Sequence, residues 1–155
     1  MLKLTKKADY GLIALKHLAE AGQSASAKEI ADAYDLPQEA LAKILQKLAK
    51  AKFLVSQHGT NGGYGLSKPP QEISAFEVIR VLEGPLFLTS CSTDHGDCHQ
   101  LSKCNVKEPL AKVSLSIREV LTKITIADMM DASGPRIKED SSAPRVNAAE
   151  LVTLA

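Results

Sequence analysis

Cys91, Cys98 and Cys104 fall within 14 residues of a 155-residue chain. An odd number of thiols in one short stretch does not suit a disulfide framework, and metal or redox chemistry is the better reading. Thiolates are soft ligands that suit iron–sulfur clusters and zinc. The spacing, six residues and then five, lacks the Cys-x2-Cys knuckles usual in structural zinc sites. Three unrelated thiols are the remaining alternative. Structural cysteines, however, sit among apolar neighbours, whereas these surround the polar run Asp94-His95-Gly96-Asp97. An iron–sulfur cluster is therefore favoured. Three thiolates leave one position of such a cluster for an oxygen or nitrogen ligand, and His95 and His99 are the nearest imidazoles.

The elements that must position this stretch are mainly helical. Ala8, Leu12, Leu15 and Ala19 recur at helical spacing between Lys6 and Ala21, with Gly22 as a stop. Ser26 and Glu29 form a capping-box pattern ahead of a short second helix over Ala27 to Tyr34. A third helix is expected from Gln38 to about Lys52, with Leu41, Ile44, Leu45 and Leu48 inward and Lys43, Lys47 and Lys50 on the opposite side. Phe53–Gln57 and Tyr64–Leu66 flank the glycine-rich run His58-Gly59-Thr60-Asn61-Gly62-Gly63, which predicts a β-hairpin. Ser74 can cap a fourth helix through Leu82, ended by Gly84-Pro85.

After Pro109, the residues Leu110, Val113, Ile117, Val120, Leu121 and Ile124 keep a 3-4 spacing, a seam suited to a partner helix. The fold class is thus mainly α with a small β-hairpin wing: a winged helix-turn-helix domain plus a long C-terminal dimerisation helix. The expected divisions are a DNA-binding domain at 1–84, a cysteine-containing loop at 85–107, a dimerisation helix at 108–130 and a tail without a convincing apolar face at 131–155.

In the winged helix-turn-helix order, the third helix enters the major groove and the wing lies along the backbone or minor groove. Gln38, Glu39 and Lys43 are then placed for base edges, and Lys47 and Lys50 for phosphates. Thr5, Lys6 and Ser26 lie at helix N-termini, where backbone N–H groups favour phosphate. His58, Thr60, Asn61 and Tyr64 are the wing candidates. The formal net charge of +1 does not decide for or against nucleic acid, since the gathering of charge on one face is what matters. A solvated helix face and a first-turn carboxylate are the plain readings of the lysines and of Asp9. No catalytic nucleophile–base pair, phosphate loop or paired-carboxylate motif stands out, so an enzyme is not expected. No apolar run spans a bilayer and no apolar leader precedes the first helix, so a cytoplasmic protein without membrane contact is expected.

Leu4-Thr5-Lys6-Lys7-Ala8-Asp9-Tyr10-Gly11, the wing His58 to Leu66, Ile73-Ser74, Val78-Ile79, Leu82-Glu83-Gly84-Pro85 and the spaced cysteines together resemble the Rrf-type winged-helix regulators. This is the family of IscR, NsrR and RirA. Ala8-Asp9-Tyr10-Gly11, Glu83-Gly84-Pro85 and Thr89-Ser90-Cys91-Ser92 are most similar to its branch of SUF-system iron–sulfur cluster assembly regulators. The resemblance covers about residues 1–130.

It implies a homodimer on a palindromic duplex operator, with a two-iron or four-iron cluster held by Cys91, Cys98 and Cys104. By the same resemblance Asp9 is the first-ranked fourth ligand, supplied by the partner subunit, ahead of His95 and His99. Repression of SUF genes is the implied function. The alternatives are a nitric oxide- or iron-responsive regulator of the same family, and a cluster- or metal-binding protein that does not bind DNA. Two positions depart from the family's pattern: His58 stands where an arginine is common, and Lys107 stands where some relatives have a histidine ligand.

Overall fold

The computed structural model describes residues 4–59, 62–85 and 103–130. Its elements are α1 (Lys6–Ala21), α2 (Ala27–Tyr34), α3 (Gln38–Lys50), β1 (Leu54–Gln57), β2 (Gly63–Leu66), a 3-10 turn at Pro70–Glu72, α4 (Ala75–Glu83), α5 (Lys107–Lys123) and α6 (Ile126–Met130). Among the described residues no helix is long and apolar enough to cross a membrane.

The core lies between α1, α3 and α4 and is built on fully buried Leu15, Ile30, Leu41, Leu45, Leu48, Ile73, Val78 and Ile126. Each such side chain contributes about 1.5–3 kcal/mol relative to exposure. The α3 face matches expectation, with Leu41, Ile44, Leu45 and Leu48 all buried. In α1 the buried line is Ala8, Gly11, Ala14, Leu15 and Leu18, whereas Leu12 and Ala19 are only half-buried. Small residues win there because α4 lies close: a Cβ on Gly11 would run into Leu82 Cδ1.

α3 ends two residues earlier than its apolar pattern suggests. Lys52 N donates to Ala49 O and Phe53 N to Leu48 O, both at 3.0 Å, and Lys52 takes φ +64°. This is the left-handed helix ending usually assigned to glycine. It turns Phe53 into the core and starts β1.

β1 and β2 pair antiparallel in the register Leu54–Leu66 to Gln57–Gly63. A third segment joins them that alternation could not reveal, because it is one residue long. Ala25 N donates to Tyr64 O at 3.1 Å and Tyr64 N to Ala25 O at 2.9 Å, fastening the wing to the chain just before α2.

The segment expected as one helix over 108–130 is two helices. The 3-4 spacing lapses after Ile124, with Ile126 only two residues on, and the backbone bends at Ile124–Thr125. There Ala75 N donates to Ile124 O at 2.8 Å and Ile126 N to Ile73 O at 2.9 Å. Thr125 restarts the helix: its N–H and hydroxyl donate to Asp128 Oδ2 at 2.8 and 2.7 Å, and Asp128 N donates back to Thr125 Oγ1 at 3.2 Å. α6 docks on α1 through buried Ile126. α5 itself has no buried residue and leans on α4, with Arg118 stacked over the Phe76 ring at 5.2 Å.

Candidate functional site

α3 is positioned by its buried stripe, which leaves Gln38, Glu39, Ala40, Lys43, Gln46, Lys47 and Lys50 exposed. Helical periodicity places Glu39, Lys43, Gln46 and Lys50 along the line farthest from that stripe. Gln46 was not legible as a candidate from the lysine spacing, although the i, i+3, i+4 relation to Lys43 and Lys50 was the signal that could have found it. Its amide is the kind of group that reads adenine edges.

Lys47 lies to the side of this line, nearer Ile44, and its Nζ donates to Leu82 O of α4 at 3.0 Å. The structure thus separates it from Lys43 and Lys50, with which its spacing had grouped it.

The N-termini of α1 and α3 open on the same groove, whose floor is Tyr10, Pro37, Ala40, Ile44 and Leu82 and whose rim carries Lys6, Lys7, Lys43 and Lys47, with Glu39 the acidic member. Neither helix has a side-chain cap. Their first-turn N–H groups and the lysines give this side of the molecule a positive potential suited to phosphate.

Two of the expected phosphate contacts have intramolecular duties. Thr5 donates to Glu83 Oε1 with its N–H (2.9 Å) and its hydroxyl (2.6 Å), joining the start of α1 to the end of α4. Ser26 is the α2 cap: Glu29 N donates to Ser26 Oγ at 3.1 Å, and Ser26 N donates to Glu29 Oε2 at 2.7 Å. The hydrogen bonds from the Ser26 backbone N–H and hydroxyl hold the Glu29 carboxyl below the usual carboxylate range.

In the wing, His58 is exposed at the end of β1. Tyr64 is half-buried against the core, with its backbone paired to Ala25. Thr60 and Asn61 lie outside the described residues. His17, read as a partly packed helix residue, is half-buried with its ring edge-on to Tyr34 at 5.6 Å.

Of the cysteine site, Asp9 is exposed in the first turn of α1, and Cys104 is half-buried three residues ahead of α5. Lys107, exposed, opens α5. Cys91, His95, Cys98 and His99 lie outside the described residues. Among the described residues no three His, Cys, Asp or Glu side chains converge on a common point.

Residues 4–132 match the Rrf2 family, described as iron-dependent transcriptional regulators. IscR of T. potens is 31% identical, with 94% of each chain covered and a TM-score of 0.68. CymR (YrzC), the global cysteine regulator of B. subtilis, is 30% identical over 84% of this chain and 97% of its own, also with a TM-score of 0.68. CymR of Staphylococcus aureus is 30% identical over 82% of this chain and 97% of its own, with a TM-score of 0.65. The helix-turn-helix with its hairpin wing, the basic exposed face of α3 and the match over 4–132 make this chain a member of the Rrf2 family of winged-helix, DNA-binding transcriptional regulators, which are not enzymes.

Proposed function

We propose that this regulator is an iron–sulfur-cluster-dependent repressor of SUF cluster-assembly genes, acting in the cytoplasm as a homodimer on a palindromic duplex. The observation that carries the reading is the trio Cys91, Cys98 and Cys104 within 14 residues. It occurs in a chain 31% identical to T. potens IscR over 94% of its length.

The donor chemistry fits a cluster. Cys104 is half-buried rather than sealed in the core, and Asp9 projects from the first turn of α1 as an exposed carboxylate. Cys91, Cys98 and Cys104 would hold the cluster. Asp9 of the partner subunit ranks first for the fourth position, with His95 and His99 behind it, while a protonated Lys107 has no lone pair to offer. When bound, the cluster supplies an oxidant-sensitive centre with one exchangeable position.

The chain's own residues do the rest. Gln38, Glu39, Lys43 and Gln46 meet base edges, Lys50 and Lys6 meet phosphates, and His58 leads the wing. Val113 and Val120 of α5 are 47% and 49% exposed in one chain. A second copy packed on this helix would remove them from water at about 25 cal/mol per Å2 of apolar surface. Ligand-dependent regulation then requires that the loaded and empty loops differ in how they set the two α3 helices apart.

A second reading follows from the 30% identity to the B. subtilis cysteine regulator over 84% of this chain: the thiols themselves respond to sulfur status or oxidation, with no cluster. Anaerobic purification, with a visible spectrum, iron and sulfide counts and footprints of loaded and stripped protein, separates the two. The proposal expects a coloured protein that loses iron in Cys91→Ala, Cys98→Ala and Cys104→Ala and whose footprint depends on loading. A colourless, iron-free protein from cells that load such clusters refutes it.

A further inference from the structure

We infer that Lys47 is a positioning residue for DNA binding: it fixes the recognition helix α3 to the C-terminal end of α4 instead of touching a phosphate. The inference rests on the DNA-binding role of α3 and separates Lys47 from Lys50, with which the sequence had paired it as a phosphate contact.

The ammonium of Lys47 donates to Leu82 O at 3.0 Å in a part-buried setting. Leu82 lies in the last turn of α4, where carbonyls have no intrahelical donor and the helix dipole favours a cation. Arg80 O in the same turn already accepts from Gly84 N at 2.9 Å, so the Lys47 bond satisfies a second carbonyl at that end. Withdrawing Lys47 to reach DNA would leave Leu82 O without this donor.

α1 grips the same place. Thr5 donates twice to Glu83, the next residue, and Gly11 is bare of Cβ where Leu82 Cδ1 packs against it, with Ile44 of α3 alongside. The turn at Leu82–Glu83 is therefore the joint where α1, α3 and α4 meet, and Lys47 is its polar tie to α3. Lys43 and Lys50, on the outermost line of α3, have no such tie among the described residues.

Competition binding with the full-length chain tests this on two duplexes. One is the sequence that the unmodified protein enriches from a random 30-base-pair library, taken at about three helical turns, and the other is its scramble. Lys47→Met keeps the stem and removes the donors, and Lys47→Arg keeps a cationic donor. We expect Lys47→Met to weaken binding to the enriched duplex about 10-fold while the scramble changes less than about 2-fold and the salt slope stays the same, with Lys47→Arg restoring most of the loss. Lys50→Met should lower the salt slope by about one unit on both duplexes.

A salt slope lowered by about one in Lys47→Met overturns the inference. So does equal loss on both duplexes, or no loss on either. Glu83→Gln weakens the neighbouring tie from α1 and should give the same signature, loss on the enriched duplex alone with an unchanged slope. If Lys47→Met does not fold, Lys47→Gln decides the matter: its amide keeps a neutral donor for Leu82 O and loses the charge, so a salt slope lowered by about one unit overturns the inference and an unchanged slope supports it. An unmodified chain that enriches no duplex at all overturns the DNA-binding role as well, which separates that failure from this one.

Discussion

Replacing Gly63 by alanine should loosen the wing from the body of the protein. A Cβ at Gly63 would lie 2.5 Å from the carbonyl carbon and oxygen of Ala25 and 2.8 Å from Ser26 N. These are backbone atoms, which cannot step aside as a side-chain end can. Relief requires separating β2 from the Ala25 segment, at the expense of the reciprocal pair Ala25 N to Tyr64 O and Tyr64 N to Ala25 O. Two such bonds are worth about 1–3 kcal/mol together, and the shift also strains the Ser26 cap of α2 that follows directly. The expected loss is about 2–3 kcal/mol, a drop of roughly 5–10 °C in Tm for a chain of this size.

Gly65→Ala is the internal control, two residues along the same strand. Its added Cβ meets nothing nearer than Gln57 Nε2 at 3.8 Å, so it should cost less than about 0.5 kcal/mol and can even stabilise through the unfolded chain. Thermal denaturation followed by circular dichroism reads both. Equal Tm values for the two variants would refute the claim that the Ala25 contact anchors the wing.

Three further outcomes are expected. Lys52→Gly removes the strain of a side chain at φ +64° and should raise stability by about 0.5–1 kcal/mol after the entropy lost by glycine, measured as the urea midpoint. Glu29 and Asp128 are both held below the usual carboxylate range by hydrogen bonds, from the Ser26 backbone and hydroxyl and from the Thr125 backbone and hydroxyl respectively. Their stabilisation is therefore full above the unfolded pKa near about 4 and is lost as pH falls through the lower folded values; Tm should fall across that window, and Glu29→Gln should flatten part of the fall. Val113→Glu with Val120→Lys places charge on the exposed apolar side of α5 and should shift light-scattering mass from dimer toward monomer at about micromolar concentration without lowering the helix content.

Much of the fold was legible because it rests on local patterns. The 3.6-residue period of α3, the Ser26–Glu29 box and the glycine-rich hairpin tip are each set by neighbours in sequence. What escaped depends on contacts far apart along the chain. Thr5 meets Glu83 across 78 residues and Lys47 meets Leu82 across 35. No spacing rule distinguishes a lysine that bends to a carbonyl from one that points to solvent. The break at Thr125 escaped although a local signal was present: the 3-4 spacing lapses after Ile124 and Thr125 with Asp128 has capping-box spacing, while the bonds to Ile73 and Ala75 fix the bend. In α1, Gly11 is buried because Leu82 of α4 approaches closely, a demand for a small residue that hydrophobicity alone does not signal.

The bend at Thr125 also gives α5 the mechanics of a lever. Its C-terminal end is anchored, since the chain on either side of Thr125 is bonded to residues 73–75 and Ile126 sits at 0% exposure. Its other end, beside Cys104, is carried on a helix of 17 residues, about 25 Å at 1.5 Å per residue. Tilting such a rod by about 5° moves its far tip by about 2 Å while the anchored end stays put. A displacement of about 2 Å beside Cys104 thus reaches the anchor at residues 73–75 as a tilt of about 5° at the start of α4, the helix to which α1 and α3 are tied.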